Sequence, residues 1–372
     1  MSTHAPLAPS SAARRVQCPG SRALEEMYPE DQESQAAKDG TAAHWAVAEM
    51  LAGRTIDTGQ IAPNGVMLTD EMVEGAELMT ADVRATDAEF VGYTLHVEET
   101  LSIATINPLC WGTPDTWRFK PYKLIIWDYK FGHRRVDVFE NWQVIEYAAG
   151  ALEAVGINGV SDHRTQVEFR IVQPRCYSGG PPITTWSCMA SELRGYFNAL
   201  RLSEAKSLEA DAPCIVGPEC RDCRARHACR SAQSAAYASM DVAYSNVPFD
   251  LPPDALGAEL RYVDRAIAML EARRTGLAEQ TLSLLKRGVA VPFYRAEPSQ
   301  GRERWAKPDE EIKALGRMLG VPIVKEKPIT PKQAIDAGVP VDIVKSYAEI
   351  PIGETKLKAD DGTQARKVFS NS

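Results

Sequence analysis

Asp128 and Lys130 stand two residues apart at the end of the apolar run Leu124-Ile125-Ile126-Trp127, and thirteen residues before Asp128 lies a second acid, Asp115, in Gly112-Thr113-Pro114-Asp115. Side chains two apart on a strand point to the same face, so this acid and this lysine are presented together. The two carboxylates are oxygen ligands of the kind Mg2+ prefers. The lysine beside them can orient a water and stabilise charge developing on a phosphate. His44 adds a nitrogen that Mn2+ accepts more readily than Mg2+ does, and the main-chain carbonyl of Tyr129 could add one more oxygen. Hydrolysis of a phosphodiester is the chemistry such a set suits, because a metal both activates water and offsets phosphate charge. Taken singly, each residue has an ordinary structural explanation: Asp115 capping a turn, Lys130 a strand-end surface charge, His44 a histidine satisfied within its helix.

Two further groups belong with these residues. Gln143 and Tyr147 are four apart on a predicted helix and share a face, where an amide and a phenol can touch nucleic acid or position Lys130. Cys220, Cys223 and Cys229 form a tight cluster, and close cysteines in a chain without a disulfide framework point to a metal or metal–sulfur site. The fourth ligand decides its kind. Cys214, or His227, would close a local zinc site, whereas Cys18 would tie the N-terminal region to a loop about 200 residues later. Cys110, Cys176 and Cys188 read as small buried hydrophobes.

The elements that must carry these residues follow from periodicity. Helical spacing runs over Ser34–Leu51, which holds His44, and over Thr69–Asp87. Alternation of period two predicts strands over Phe90–Ile103, Cys110–Phe119 and Tyr122–Phe131, the last two joined at Lys120-Pro121. A helix over Val138–Val155, a strand over Thr165–Gln173 and a helix over Met189–Leu208 complete an α/β (α+β) arrangement, with a mixed sheet flanked by helices and an N-terminal helical part. Residues 1–15 read as a flexible leader, 16–246 as the main domain and Val247-Pro248-Phe249-Asp250 with the prolines after it as a linker over 247–254. Residues 255–372 read as a small α+β accessory domain, opened by a long helix over Ala255–Arg287 with a stripe of Leu256, Leu260, Val263, Ile267 and Leu270. In that domain Gly301-Arg302-Glu303-Arg304-Trp305 sets arginines beside a tryptophan, which can track phosphates and stack on a base or simply form a strand over a buried tryptophan.

With 372 residues, 44% of them hydrophobic and 25% charged, the chain has the composition of a globular protein of two domains. The net charge of −8 is concentrated before the linker, while the accessory domain carries a small positive excess, so overall charge neither favours nor excludes a nucleic-acid partner. The sequence contains no apolar run long enough to span a bilayer, and its first residues lack the order of a secretory signal. A cytoplasmic protein with no membrane partner is the expectation.

Gly40 with His44, Gly112 with Asp115, the Asp128-Tyr129-Lys130 triplet and Gln143 with Tyr147 resemble, in order, the motifs of the RecB-like branch of PD-(D/E)XK nucleases. One cysteine before that core and three after it are similar to the iron–sulfur members, which include the AddB nuclease and the CRISPR-associated adaptation nucleases. The arrangement is also similar to stand-alone nucleases of phage replication and recombination regions. The resemblance spans about Cys18–Cys229. It implies a restriction-endonuclease-like sheet, with His44, Asp115, Asp128 and the Tyr129 carbonyl as ligands of Mg2+ or Mn2+. It further implies Lys130 as the catalytic lysine, Gln143 and Tyr147 as its supports, and Cys18, Cys220, Cys223 and Cys229 holding a four-iron, four-sulfur (4Fe-4S) cluster, with Zn2+ as the alternative. The expected activity is a DNA exonuclease on single strands or ends, working with a helicase, a recombinase or a single-strand-binding protein; no phosphate-binding loop of a helicase occurs in the chain itself. The rival expectations are a catalytically weak DNA-binding recombination scaffold and a zinc-ribbon interaction protein.

Overall fold

The computed structural model describes residues 5–28, 34–157, 162–176, 181–243, 251–300, 304–305, 307, 309–321, 323, 331–336, 338–349 and 352–359. The chain divides into two compact units, Met1–Gly276 and Leu277–Ser372.

The first unit is built on a five-stranded mixed sheet flanked by helices. It opens with two short helices, α1 (Ala12–Gln17) and α2 (Ser21–Glu26), followed by α3 (Gln35–Leu51) and α4 (Asp70–Arg84). The strands are β1 (Leu95–Val97), β2 (Leu101–Ser102), β3 (Trp111–Gly112), β4 (Thr116–Lys120), β5 (Lys123–Tyr129), β6 (Gln166–Val172) and β7 (Ile183–Met189). Helix α5 (Trp142–Ala154) separates β5 from β6, and α6 (Ala190–Ser207) follows β7. The main sheet has the order β1-β4-β5-β6-β7, with β2 and β3 paired separately. Only β5 and β6 run parallel within it; the other neighbours are antiparallel. A parallel pair needs a crossover connection, and α5 lies within it.

The apolar run that ends at Asp128 is the central strand, buried on both faces. Leu124 and Ile126 pack into the core formed with α1, α5 and α6. Ile125, Trp127 and Tyr129 pack into the core under α3 and α4. The helices begin where local chemistry dictates. The Ser34 hydroxyl accepts the Ala37 amide at 3.1 Å, Thr69 accepts that of Met72 at 3.3 Å, and Asn141 accepts those of Gln143 and Val144 at 3.0 and 3.4 Å.

Four features differ from the sequence reading. Phe90–Ile103 is not one strand: the chain turns at Gly92 (φ 82°) and again at Glu98 (φ 49°), leaving the short β1 and β2. Val91 and Tyr93, within that span, are exposed. Cys110–Phe119 likewise breaks at Pro114 into β3 and β4. Strand β7 escapes the alternation test because, as an edge strand, its Thr184, Thr185 and Ser187 interrupt the apolar face. Residues 5–15 do not hang free of the core: Leu7 and Ala12 are fully buried in it and α1 packs on α5 and α6.

Helices α7 (Arg230–Ala243) and α8 (Pro253–Lys286) follow the cysteine segment, and the division between units falls inside α8. Linker residues 247–250 lie outside the described residues. The second unit holds β8 (Tyr294–Gln300), β9 (Arg304–Trp305), α9 (Asp309–Leu319), α10 (Pro331–Asp336), α11 (Val341–Tyr347), β10 (Ala348–Glu349) and β11 (Ile352–Ala359). It forms two antiparallel ribbons, β8 with β11 and β9 with β10, and its small core gathers Ile312, Ile323, Ala334, Val339 and Val344. Trp305 packs against this core, while Gly301, Arg302 and Glu303 lie outside the described residues.

Candidate active site and cysteine cavity

The β4–β5 hairpin sets the two acids side by side. Its register pairs Thr116 with Trp127, so Asp115 stands opposite Asp128 one step beyond. Asp115 is fixed by the main chain: its Oδ2 accepts the Tyr129 amide at 2.6 Å. Its Oδ1 lies 2.9 Å from Nδ1 of His44, brought in by α3. Lys130 reaches both Asp128 oxygens, at 3.1 and 2.9 Å, and donates at 3.0 Å to Oε1 of Gln143 on α5. The other end of that amide donates to the Tyr147 hydroxyl at 3.4 Å. The four-residue spacing of Gln143 and Tyr147 thus makes a relay that holds the lysine. Gly112 makes room for it: a Cβ there would meet Pro9 at 2.8 Å and the Tyr147 ring at 3.0 Å.

Tyr129 itself faces the α3–α4 core, buried, with its ring 5.3 Å from that of His44. Strand β5 thereby sends Asp128 to one face and Tyr129 to the other, while the Tyr129 amide secures Asp115.

The charges are mutually adjusted. Burial opposes ionisation of Asp115, but the His44 imidazole and its hydrogen bond, with Lys130 and the Tyr129 amide, outweigh it and hold its carboxyl below the usual range. Asp128 moves the other way, raised by burial and by Asp115 against the pull of Lys130. Burial would lower His44 and Lys130, yet the neighbouring carboxylates raise both, Asp115 acting on His44 and Asp128 with Asp115 on Lys130.

One acid at this place was not found by sequence reasoning. Glu98, in the left-handed turn after β1, donates its amide to the Asp115 carbonyl at 3.0 Å. Donor atoms of His44, Glu98 and Asp115 lie within 4.8 Å of one another. Desolvation at the cleft and the charge of Asp115 push the Glu98 carboxyl up to about 7, although its side chain keeps an exposed face. Alternation over Phe90–Ile103 reads as a single strand and does not register the turn that places Glu98.

His44, Glu98 and Asp115 line a cleft of about 580 Å³ together with Gly40, Thr41 and Trp45. A Cβ at Gly40 would meet nothing within 4 Å, so packing does not require a glycine there; its effect is to keep the cleft wall low one turn before His44. The donor set, carboxylates with one imidazole, suits a hard or borderline divalent ion.

The structure also gathers the cysteines. Cys18, Cys214, Cys220, Cys223 and Cys229 line a single small cavity, while His227 is not part of its wall. Both contenders for the fourth position are therefore present. Cys18 accepts the Ile215 amide at 3.2 Å and Cys220 accepts that of Gly217 at 3.4 Å; burial raises both thiols, and these contacts offset it in part. The Gly20 amide donates to the Pro213 carbonyl at 2.9 Å, and a Cβ at Gly20 would meet the Ala212 carbonyl at 2.5 Å. The N-terminal segment and the cysteine segment thus pack without space for a side chain between them. An all-sulfur donor set fits a soft metal or an iron–sulfur cluster. Cys110, Cys176 and Cys188 lie elsewhere, Cys110 fully buried.

Among the described residues no helix is long and apolar enough to cross a membrane. Among solved structures, the chain is similar to a crystal structure named "Putative exonuclease", from Eubacterium rectale, at 9% identity and a TM-score of 0.32, over 67% of this chain and 92% of that one. The profile of a family described as "Protein of unknown function (DUF2800)" matches residues 4–335, most of the chain, and the protein belongs to that family.

Proposed function

We propose that the protein is a metal-dependent deoxyribonuclease that hydrolyses phosphodiester bonds. The observation that carries this reading is the meeting of Asp115, Asp128 and Lys130 at one end of β5, with His44 and Glu98 against Asp115 in an open cleft. His44, Glu98, Asp115 and Asp128 are the residues that would hold Mg2+ or Mn2+; the ion, when bound, supplies an activated water and neutralises charge on the phosphate. The raised pKa of Lys130 keeps its ammonium charged, so it acts as a donor to the phosphate or the attacking water and not as a base. Gln143 fixes the direction of that donor, and Tyr147 fixes Gln143. The low wall at Gly40 leaves room for a sugar–phosphate backbone to pass close to His44.

Single-stranded DNA or DNA ends, cut in the exonuclease mode, are the substrate we infer from the order of motifs, with a helicase, recombinase or single-strand-binding protein as partner. The same order favours Cys18, Cys220, Cys223 and Cys229 as ligands of a 4Fe-4S cluster; Cys214 replacing Cys18 would instead favour Zn2+. Two measurements test the reading. Labelled single- and double-stranded oligonucleotides are incubated with Mg2+, Mn2+ or chelator, using wild type and Asp128→Ala. Metal-dependent cleavage lost in the variant is expected; binding without cleavage, or equal cleavage by both, overturns the assignment. Metal and sulfide analysis of anaerobically purified Cys18→Ala and Cys214→Ala then identifies the fourth ligand. Loss of iron in the first alone is the expected result.

A further inference from the structure

Helix α1 carries a charge into the core. Arg15 is 2% exposed, and it meets two carboxylates that are fully buried, Glu146 on α5 and Glu204 on α6. Its Nε donates to Glu204 at 2.6 Å and its Nη2 stands 3.6 Å from Glu146. Its Nη1 turns back to the Ala8 carbonyl at 2.9 Å and to the Ser11 hydroxyl at 2.5 Å. Arg15 thereby folds the first residues onto α1 and fastens α1 to two helices. The thiol of Cys110 completes the cluster, its sulfur within 4.8 Å of oxygens from both glutamates.

The cluster is short of positive charge. Two glutamates face one arginine; Glu146 has only the Cys110 thiol as a hydrogen-bonding neighbour among the described residues, and one oxygen of Glu204 has none there. Burial, partly offset by Arg15, pushes Glu146 up to about 8. A buried carboxylate that loses its only counter-charge is strongly unfavourable, so this arrangement stands only while α1 is seated.

Placement gives the cluster its consequence. Glu146 lies on α5 between Gln143 and Tyr147, the two residues that hold Lys130. Arg15 lies three residues before Cys18, whose amide closes α1 by donating to the Arg14 carbonyl at 2.7 Å. One short helix therefore joins the cysteine cavity to the helix that orients the lysine.

We propose that Arg15 is a latch: as the one cation paired with Glu204 and facing Glu146, it makes the seating of the N-terminal segment set the position of α5, so that release of α1 withdraws Gln143 and Tyr147 from Lys130. Arg15, Glu146 and Glu204 are positioning residues. Their effect on cleavage rests on the nuclease reading above; the latch itself does not.

The test uses full-length Arg15→Met, the triple variant Arg15→Met/Glu146→Gln/Glu204→Gln, and wild type. Limited proteolysis ahead of Cys18 is followed by mass spectrometry, with the helical signal of the whole chain as a control for folding. Removing one partner of a buried ion pair is costly, so in Arg15→Met cleavage of the segment is expected to accelerate about tenfold or more, and in the triple variant to return to within about threefold of wild type. Acid should also quiet the single variant. Glu146, already raised by burial and by Glu204, loses the opposing pull of Arg15, so the seated state binds the extra proton. Seating then strengthens as pH falls from 8 to 6. Wild type should show a smaller dependence. Nuclease turnover should fall in Arg15→Met through kcat more than KM and recover in the triple variant. A segment as resistant in Arg15→Met as in wild type overturns the proposal, and so does a triple variant no better protected than the single one, which would show that shape and not charge holds α1. If oligonucleotide cleavage proves insensitive to Asp128→Ala, the nuclease reading fails while the proteolysis arm still decides the latch.

Discussion

Helix α5 touches two charge clusters, and they are sealed to different degrees. Toward β5 it offers Gln143 to a lysine and two aspartates at the edge of an open cleft. Toward α1 and α6 it offers Glu146 to an arginine and a second glutamate with no opening at all. In both places acids outnumber firmly placed cations. At the cleft the excess is spread: Asp115 is held ionised by His44, Asp128 and Glu98 are raised, and solvent reaches the group. In the sealed cluster burial, with a smaller contribution from Glu204, outweighs Arg15 and pushes Glu146 up to about 8. Negative charge that remains exposed to a cleft invites a cation or a ligand to complete it. Negative charge sealed beside one arginine makes that arginine indispensable to the packing.

This contrast can be broken, and the largest effect should come from the open side. Lys130→Ala is expected to reduce metal-dependent DNA cleavage by about a thousandfold and to leave the melting temperature within a few degrees, because the lysine stands at an accessible edge. A variant that unfolds as it loses activity would make the cleft as structural as the sealed cluster.

Glu98→Gln should act next. Carboxylate ligands bind a cation only when ionised, and Glu98 titrates near 7. Wild-type Mn2+ affinity, read by calorimetry, should therefore weaken as pH falls from 8 to 6. The variant should bind about tenfold more weakly at pH 8 and show a flatter profile. A pH profile unchanged by the substitution would remove Glu98 from the site.

Tyr147→Phe is expected to lower kcat by about three- to tenfold, since it removes a brace of the lysine and no donor to the substrate; KM should hold. A loss as large as that of Lys130→Ala would place the phenol at the substrate itself.

Glu146→Gln is expected to change cleavage least. A carboxyl whose folded pKa is raised destabilises the fold increasingly as pH climbs from its unfolded value to its folded one. Wild type should therefore lose thermal stability as pH rises toward 8, and the variant should lose less. An equal decline in both proteins would mean that Glu146 keeps its proton in neither state or both.

Much of this arrangement was legible in the sequence where the cause was local. The run from Leu124 to Trp127 reads as a buried strand, and Ser34 and Thr69 open the expected helices as their caps, whereas Asn141, inside the expected span Val138–Val155, caps a helix that starts only at Trp142. The pairing of Asp128 with Lys130, and of Gln143 with Tyr147, followed from repeat distances alone. What was not legible depended on partners distant in the chain. Glu98 is placed by a left-handed turn that alternation cannot register. Arg15 sits in a segment of small and polar residues, and only the glutamates on α5 and α6 show that it is internal. Strand β7 is recognisable by its pairing with β6 and not by its own composition. The cysteines fall between these cases: their spacing announced a site, but only the fold brings Cys18 and Cys214 to the same wall.

The β4–β5 hairpin has one more consequence, and it concerns time. Asp115 and Asp128 are joined by a turn at Pro121 and Tyr122 and by pairings that span few residues, whereas His44 must arrive from α3, a separate and earlier stretch of chain. Short-range pairings close at less entropic cost and form sooner. The two acids and Lys130 are thus expected to come together before His44 joins Asp115. In a chain still being synthesised, the exposed pair would be complete well before α6 or the cysteine segment had emerged to cover the core behind it.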